Sequence, residues 1–325
     1  MTKNAEKNRE AIAEKILRNQ ELYREKFCEM LGFPLNLDSD AAIPEAKRIF
    51  VAKDGDVSIY RMQFDILNIP FYGILFLKED GRARPFVIAQ HGGLGTPEFC
   101  SDMLSGGSEN YNGMVQRILK YDVNVFAPQL LLWSREFLED VRENKECFGT
   151  NSYTDSMRRG IDNSLKQLGS SVAALEIFGL KKIIDYFASQ NYVMQESIGF
   201  AGLSYGGFYA LFVAACDKRI KCSMSCSFFN NRVKYNWSDW TWFDSGNVFC
   251  DAEIALLIYP RKLFIGIGDK DELFDVDSGI KEYEKLTTYT KEHDWVYFEH
   301  FDGMHEFFKN NNVIDSFVQA LRDEG

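Results

Sequence analysis

Ile198-Gly199-Phe200-Ala201-Gly202-Leu203-Ser204-Tyr205-Gly206-Gly207-Phe208 is the stretch on which the reading of this chain turns. An apolar run closes on Gly-x-Ser-x-Gly, and Phe208 to Ala215 continues as an apolar helix. This is the order strand, tight turn, helix. Side chains at the two flanking glycine positions would collide in so tight a turn, while the serine is held strained with its hydroxyl exposed. The helix that follows aims its first N–H groups at the place where negative charge develops when that hydroxyl attacks a carbonyl. The motif alone is common in a Gly-rich chain; its setting gives it weight.

Outward from this turn the pattern alternates. The continuous run Phe86-Val87-Ile88-Ala89 stops at His91-Gly92-Gly93, as a strand buried on both faces would. Helix-length and strand-length segments follow in turn: Tyr111 to Tyr121 and Val123 to Phe126, Leu168 to Ser189 and Ser197 to Leu203, Tyr205 to Cys216 and Ile220 to Ser227. Two more strands, Lys262 to Ile267 and Val296 to Phe301, flank a helix near Ile280 to Tyr289, and a last helix runs from Glu306 to about Leu321. Such alternation predicts βαβ crossovers and a parallel sheet. The opening, Arg48 to Leu77, reads as antiparallel β with a turn at Asp54-Gly55-Asp56. The expected fold class is α/β, with about eight strands, mostly parallel, and helices on both faces.

Residues 1–47 read as an N-terminal helical extension, with Ile12, Ile16, Tyr23, Phe27 and Leu31 at helical spacing from 5 to 31. The main domain is expected over 48–325. Two stretches, 128–166 and 229–251, are long for connections in such a body and are expected to be lid insertions.

A serine hydroxyl needs an imidazole to take its proton. Three histidines follow Ser204. His293 ends a helix and His300 lies within a strand, whereas His305 follows that strand in Phe301-Asp302-Gly303-Met304-His305, at the end where crevices of parallel sheets open. His305 is the expected base. The strand Leu263 to Ile267 ends in Gly268-Asp269-Lys270-Asp271-Glu272, which offers three carboxylates to orient the imidazole. Asp271 is preferred because its place lets the chain turn off the sheet before pointing back; Asp269 and Glu272 stay open. Of the oxyanion-hole N–H groups, one is expected from Tyr205 and the other from His91-Gly92-Gly93-Leu94, with Gly93 preferred over Leu94. His91 itself is expected to bond loop backbone.

Composition narrows the ligand. A formal charge of −11 opposes a nucleic-acid partner, whose binders present net basic surface. Met1 to Arg9 is polar, and no apolar run reaches membrane-spanning length, so a cytoplasmic protein with no membrane partner is expected. Seven cysteines without paired spacing read as reduced thiols rather than disulfides. Cys222 and Cys226 sit four apart, but on a strand, and no metal site is expected there. The stretch Trp237-Ser238-Asp239-Trp240-Thr241-Trp242 holds three of the five tryptophans. Their faces suit a sugar or an acyl group, or else pin the insertion to the body.

Gln90-His91-Gly92-Gly93, Asp185-Tyr186-Phe187, Ile198 through Gly207, Asp217-Lys218-Arg219-Ile220, Gly268 to Asp271 and Gly303-Met304-His305 together resemble the α/β-hydrolase superfamily. Within it the chain is similar to the branch of acetyl xylan esterases, dienelactone-hydrolase-like proteins and prolyl-oligopeptidase-type catalytic domains. The resemblance spans about residues 85–310. It implies a Ser204-Asp271-His305 triad working through an acyl-enzyme, with no metal or nucleotide cofactor. Two departures matter: dienelactone hydrolases generally place Cys where this chain has Ser204, and only 90 residues of this sequence precede His91, fewer than the propeller of the peptidases needs. The expected function is a serine carboxylesterase acting on a small acyl group such as acetyl, on a carbohydrate or another small ester. Its partner is a small-molecule ester, and a homo-oligomer is compatible with the N-terminal helix. A serine peptidase or amidase and an inactive binding protein on the same scaffold are the alternatives.

Overall fold

The computed structural model describes residues 2–36, 42–103, 109–133, 155–235 and 237–323. Nine strands form one sheet: β1 (Ala46–Asp54), β2 (Val57–Ile66), β3 (Ile69–Lys78), β4 (Arg84–Gln90), β5 (Asn124–Pro128), β6 (Val193–Leu203), β7 (Ile220–Cys226), β8 (Lys262–Gly268) and β9 (Val296–Phe301). Their spatial order is β1-β2-β3-β5-β4-β6-β7-β8-β9. β1, β2, β3 and β5 pair antiparallel in succession, and every pair from β5 to β9 is parallel. The sheet thus has one strand more than the expected eight or so, the antiparallel opening before Gly81 supplying three of the nine.

The chain passes from β4 outward to β5 and then returns to the other side of β4 as β6. Open α/β sheets bind ligands beyond the carboxyl ends of the strands at such a reversal, here β4 and β6. The loop at Gly92-Gly93 and the turn at Ser204 both lie at that end and pack together, a Cβ built on Gly92 falling 3.2 Å from the Ser204 Cβ.

Nine helices are used below: α1 (Thr2–Arg18), α2 (Gln20–Leu31), α3 (Met114–Leu119), α4 (Asp155–Gln167), α5 (Val172–Ala188), α6 (Tyr205–Cys216), α7 (Asp251–Leu256), α8 (Val276–Tyr289) and α9 (Asn311–Arg322). The two-residue alternation of the strands divides the core between the faces. Phe86, Ile88, Ile198 and Phe200 point to the side covered by α2, α5, α6 and α8. Val87, Ala89, Ala201 and Leu203 point to the side covered by α3 and α9. Every residue of α6 is buried, which explains its uniformly apolar sequence.

Helix ends depart from the sequence reading where a capping side chain intervenes. The single helix expected over 5–31 is two, broken at Asn19, whose side chain accepts from the Leu22 N–H. The helix expected from Leu168 begins at Val172, with Ser171 capping the Ala174 N–H. The helix expected from Glu306 begins at Asn311, capped by Asn310; the Glu306 carboxylate accepts from the Met304 N–H, and Phe307 and Phe308 enter the core instead. The helix expected from Tyr111 narrows to α3.

α1 and α2 pack on the body. Arg24 is buried and donates to the carbonyls of Ala215 and Leu257, and the Phe27 ring lies 5.3 Å from that of Phe212 on α6. The helix that follows the Ser204 turn is therefore held at its far end by the N-terminal segment. Of the stretch expected to be the first insertion, residues 134–154 lie outside the described residues, and its last part is α4. No helix among the described residues is long and apolar enough to cross a membrane.

Candidate active site

Ser204 sits between β6 and α6 with φ +59° and ψ −116°, a conformation that costs a non-glycine residue energy and is tolerated only when the surroundings enforce it. The enforcement is visible. A Cβ on Gly202 would run into the backbone of Gly206, and one on Gly206 into the Gln90 carbonyl at the end of β4. Only glycines let the turn close this far. Backbone bonds then pin the serine: its N–H donates to the Cys226 carbonyl at 2.9 Å, and its carbonyl accepts from Phe208 at 2.8 Å.

Asp271 and His305 arrive from the ends of β8 and β9. The His305 Nδ1 lies 2.9 Å from Asp271 Oδ2, and the carboxylate is fully buried. Its other oxygen accepts the N–H groups of Leu273 (2.8 Å) and Phe274 (3.0 Å). An ionised carboxylate only accepts, so Nδ1 carries the ring proton and Nε2 keeps its lone pair. The Phe274 ring stacks on the imidazole at 5.7 Å and 21°. The two loops are laced together, with Asp269 N–H donating to Phe301 and Lys270 N–H to Gly303, both at 2.8 Å.

Asp269 and His300, the other carboxylate and histidine weighed from the sequence, find each other: Nδ1 lies 2.8 Å from Oδ1. That pair is exposed, with side chains 55% and 41% accessible, and an exposed ion pair contributes little. Asp269→Asn and His300→Ala should each leave ester turnover within about threefold of the parent. A hundredfold loss in either, measured as kcat/KM on p-nitrophenyl acetate, would reassign the acid or the base. Glu272 is exposed on the same turn, and His293 is exposed before β9.

The Ser204 turn and the turn that carries His305 are both tied to the end of β7. Ser204 is bonded to the Cys226 carbonyl, and the next residue, Ser227, donates its hydroxyl to the carbonyl of Glu306 at 2.9 Å. Among the described residues no hydrogen bond joins Ser204 Oγ to the His305 ring. Catalytic contacts of this kind are often long until substrate tightens them. Glu306, which the sequence reading passed over, holds the histidine turn: its carboxylate accepts from the Met304 N–H and from Asn112 Nδ2, both at 2.8 Å.

His91 is buried and neutral. Burial pulls its pKa down to about 4. Nδ1 lies 2.7 Å from the Gly92 carbonyl, to which it donates, and Nε2 accepts from the Leu130 N–H at 3.1 Å. It ties the β4 loop to the β5 loop, the bonding expected of it. Gly92 N–H donates to the Tyr111 hydroxyl at 2.9 Å. Gly93 lies against Tyr205, since a Cβ built on it would be 3.1 Å from the Tyr205 ring. Leu94 has a positive φ and is exposed.

The three tryptophans part company. Trp242 is buried between Phe27 of α2 and Phe212 of α6, a packing position. Trp240 is buried among Tyr205, Phe208, Phe228 and Phe274. Trp237 is 39% exposed, with its ring nearly parallel to Tyr205 at 6.2 Å. The structure thus leaves Trp237 partly exposed beside Tyr205 and sends Trp242 to the core. The Tyr205 hydroxyl donates to Asp239 at 2.7 Å and accepts from Arg158 of α4 at 2.6 Å, so both segments that follow β5 and β7 are fastened to the residue beside the nucleophile. Neither Arg158 nor Asp239 carries a local sequence signal for this contact.

Nine strands in this order, with the Ser204 turn after β6 and the Asp271 and His305 loops after β8 and β9, define an α/β-hydrolase fold. Comparison with solved structures agrees. A presumed acetyl xylan esterase from Bacteroides fragilis superposes with a TM-score of 0.67 at 14% identity, over 89% of this chain and 76% of that one. A glucuronoyl esterase from Solibacter usitatus gives 0.66 at 12% identity, over 94% and 92%. A glucuronoyl esterase from Teredinibacter turnerae gives 0.61 at 13% identity, over 93% and 83%. No protein-family profile and no curated protein matches the sequence. The likeness is one of fold.

Proposed function

We propose that the protein is a serine carboxylesterase that releases a small acyl group, acetyl above all, from a carbohydrate or similar small ester. The observation that supports this reading is the hydrogen-bonded Asp271–His305 pair on the loops after β8 and β9, together with a serine held at φ +59° in the turn after β6. The esterases of similar fold, two of them glucuronoyl esterases and one a presumed acetyl xylan esterase, support the substrate class.

In the proposed reaction Ser204 Oγ attacks the ester carbonyl while His305 Nε2 takes its proton. The carbonyl π pair moves to oxygen, where the N–H groups of Tyr205 and Gly93 receive it. The C–O bond to the alcohol then breaks, and the alcohol leaves with the proton from His305. Water, deprotonated by the same nitrogen, attacks the acyl-enzyme and frees the acid. Asp271 keeps the imidazole in the Nδ1–H tautomer and stabilises it when charged. Trp237, partly exposed beside Tyr205, is the residue we assign to stacking on a sugar ring.

A fluorophosphonate and a substrate panel test this. We expect one phosphonyl adduct, on Ser204, and faster hydrolysis of acetylated sugars and p-nitrophenyl acetate than of longer acyl esters or arylamides. No adduct in folded protein would favour an inactive scaffold, a preference for arylamides the amidase reading, and a preference for long chains would end the short-acyl assignment.

A further inference from the structure

Trp133 was not singled out by any sequence pattern, yet the structure spends several buried groups on placing it. It ends the turn Leu131–Trp133 that follows β5. Leu130 N–H donates to His91 Nε2 at 3.1 Å, Leu131 N–H donates to the Glu176 carboxylate of α5, and Trp133 N–H donates to the Leu130 carbonyl at 3.0 Å. Glu176 is fully buried, and that burial raises its pKa to about 8. Since His91 also grips the Gly92 carbonyl, the β4 loop and the β5 turn form one unit.

That unit sets the indole against Gly93. A Cβ built on Gly93 would lie 3.1 Å from Trp133 Nε1 and 3.1 Å from the ring of Tyr205. The indole nitrogen therefore converges on the two residues assigned above to the oxyanion hole. Its N–H is buried and has no hydrogen-bond partner among the described residues. Native structures rarely leave such a donor without an acceptor. Trp240 and Trp242 have unpartnered indole N–H groups too, but neither ring lies against Gly93.

We propose that Trp133 is a catalytic residue, its indole N–H hydrogen-bonding the substrate carbonyl oxygen as a third donor beside the backbone N–H groups of Tyr205 and Gly93. The inference rests on the esterase reading. No bond to Trp133 forms or breaks: as Ser204 Oγ adds to the carbonyl, the electron pair settling on oxygen is met by an N–H already aimed there. His91 and Glu176 are positioning residues that hold the turn in place.

Trp133→Phe keeps an aromatic ring and removes the donor. We expect kcat on p-nitrophenyl acetate, and the rate at which a fluorophosphonate labels Ser204, to fall by about 10²-fold, with KM changed by less than about threefold. A second measurement does not depend on how the variant folds. In the parent protein, one of the five indole N–H resonances should move strongly downfield when the phosphonyl adduct forms, because the phosphonyl oxygen occupies the same place. If Trp133→Phe turns over at the parental rate, or no indole resonance moves, while Ser204→Ala is inactive, this proposal fails and the esterase reading stands. If Ser204→Ala matches the parent in turnover, the esterase reading fails, and this one with it.

Discussion

Ser204→Ala should lose at least roughly a thousandfold in ester turnover while its thermal unfolding midpoint stays within about 2 °C of the parent. The reason lies in how the residue is held. Its structural contacts are all backbone: the N–H to Cys226 and the carbonyl from Phe208. Its hydroxyl makes no hydrogen bond among the described residues, so alanine removes no bond that the fold uses. The strained φ is imposed by Gly202, Gly206 and the β4 end, and alanine adopts it at a cost like that of serine. What disappears is the one atom that can form an acyl bond. The rate left over would come from the oxyanion donors and from binding alone. Calorimetry beside a p-nitrophenyl acetate assay decides it: near-parental turnover with an intact melt would remove Ser204 as nucleophile.

The arrangement of the site was legible to the extent that it follows from local pattern. The strand-turn-helix at Ser204 is written in five consecutive positions, because the steric demands of the turn fall on the residues that make it. The parallel order of strands could be read from alternating runs, since crossovers need helices. The acid was harder. Three carboxylates share one turn, and only their partners distinguish them: Asp271 faces inward with both oxygens engaged, whereas Asp269 turns out to His300. The tryptophan stretch shows why proximity in sequence misleads. Trp237 and Trp242 are five positions apart, yet one is partly exposed beside Tyr205 and the other is wedged between α2 and α6, a contact that exists only once the N-terminal helices have docked. Trp133, Glu176, Arg158 and Asp239 are placed by contacts with residues far away along the chain, and nothing in their own neighbourhoods marks them. The misplaced helix starts are different. Asn19, Ser171 and Asn310 are cap formers standing in plain view, and hydrophobic periodicity alone ran through them.

Asp271→Asn should lower kcat by about 10⁴-fold, and for a reason that involves no loss of volume. The carboxylate is divided between two tasks. Oδ1 accepts two backbone N–H groups, from Leu273 and Phe274, and Oδ2 faces His305 Nδ1. An asparagine must give its one carbonyl oxygen to the two N–H groups, since turning its NH₂ toward them would oppose donor to donor. The NH₂ is then left facing His305 Nδ1. A donor there requires Nδ1 to be the acceptor, which moves the ring proton to Nε2, the nitrogen that has to take the serine proton. The base is thus disabled by its tautomer, with Phe274 still stacked on the ring and the loop bonds from Lys270 to Gly303 still made. The signature separates this account from one in which Asp271 only supports the fold. Turnover should collapse while the melt changes little, and the nitrogen NMR of His305 should show the Nε2–H form in place of Nδ1–H. A variant that keeps the Nδ1–H tautomer and parental turnover would mean that the imidazole is oriented by something other than this carboxylate.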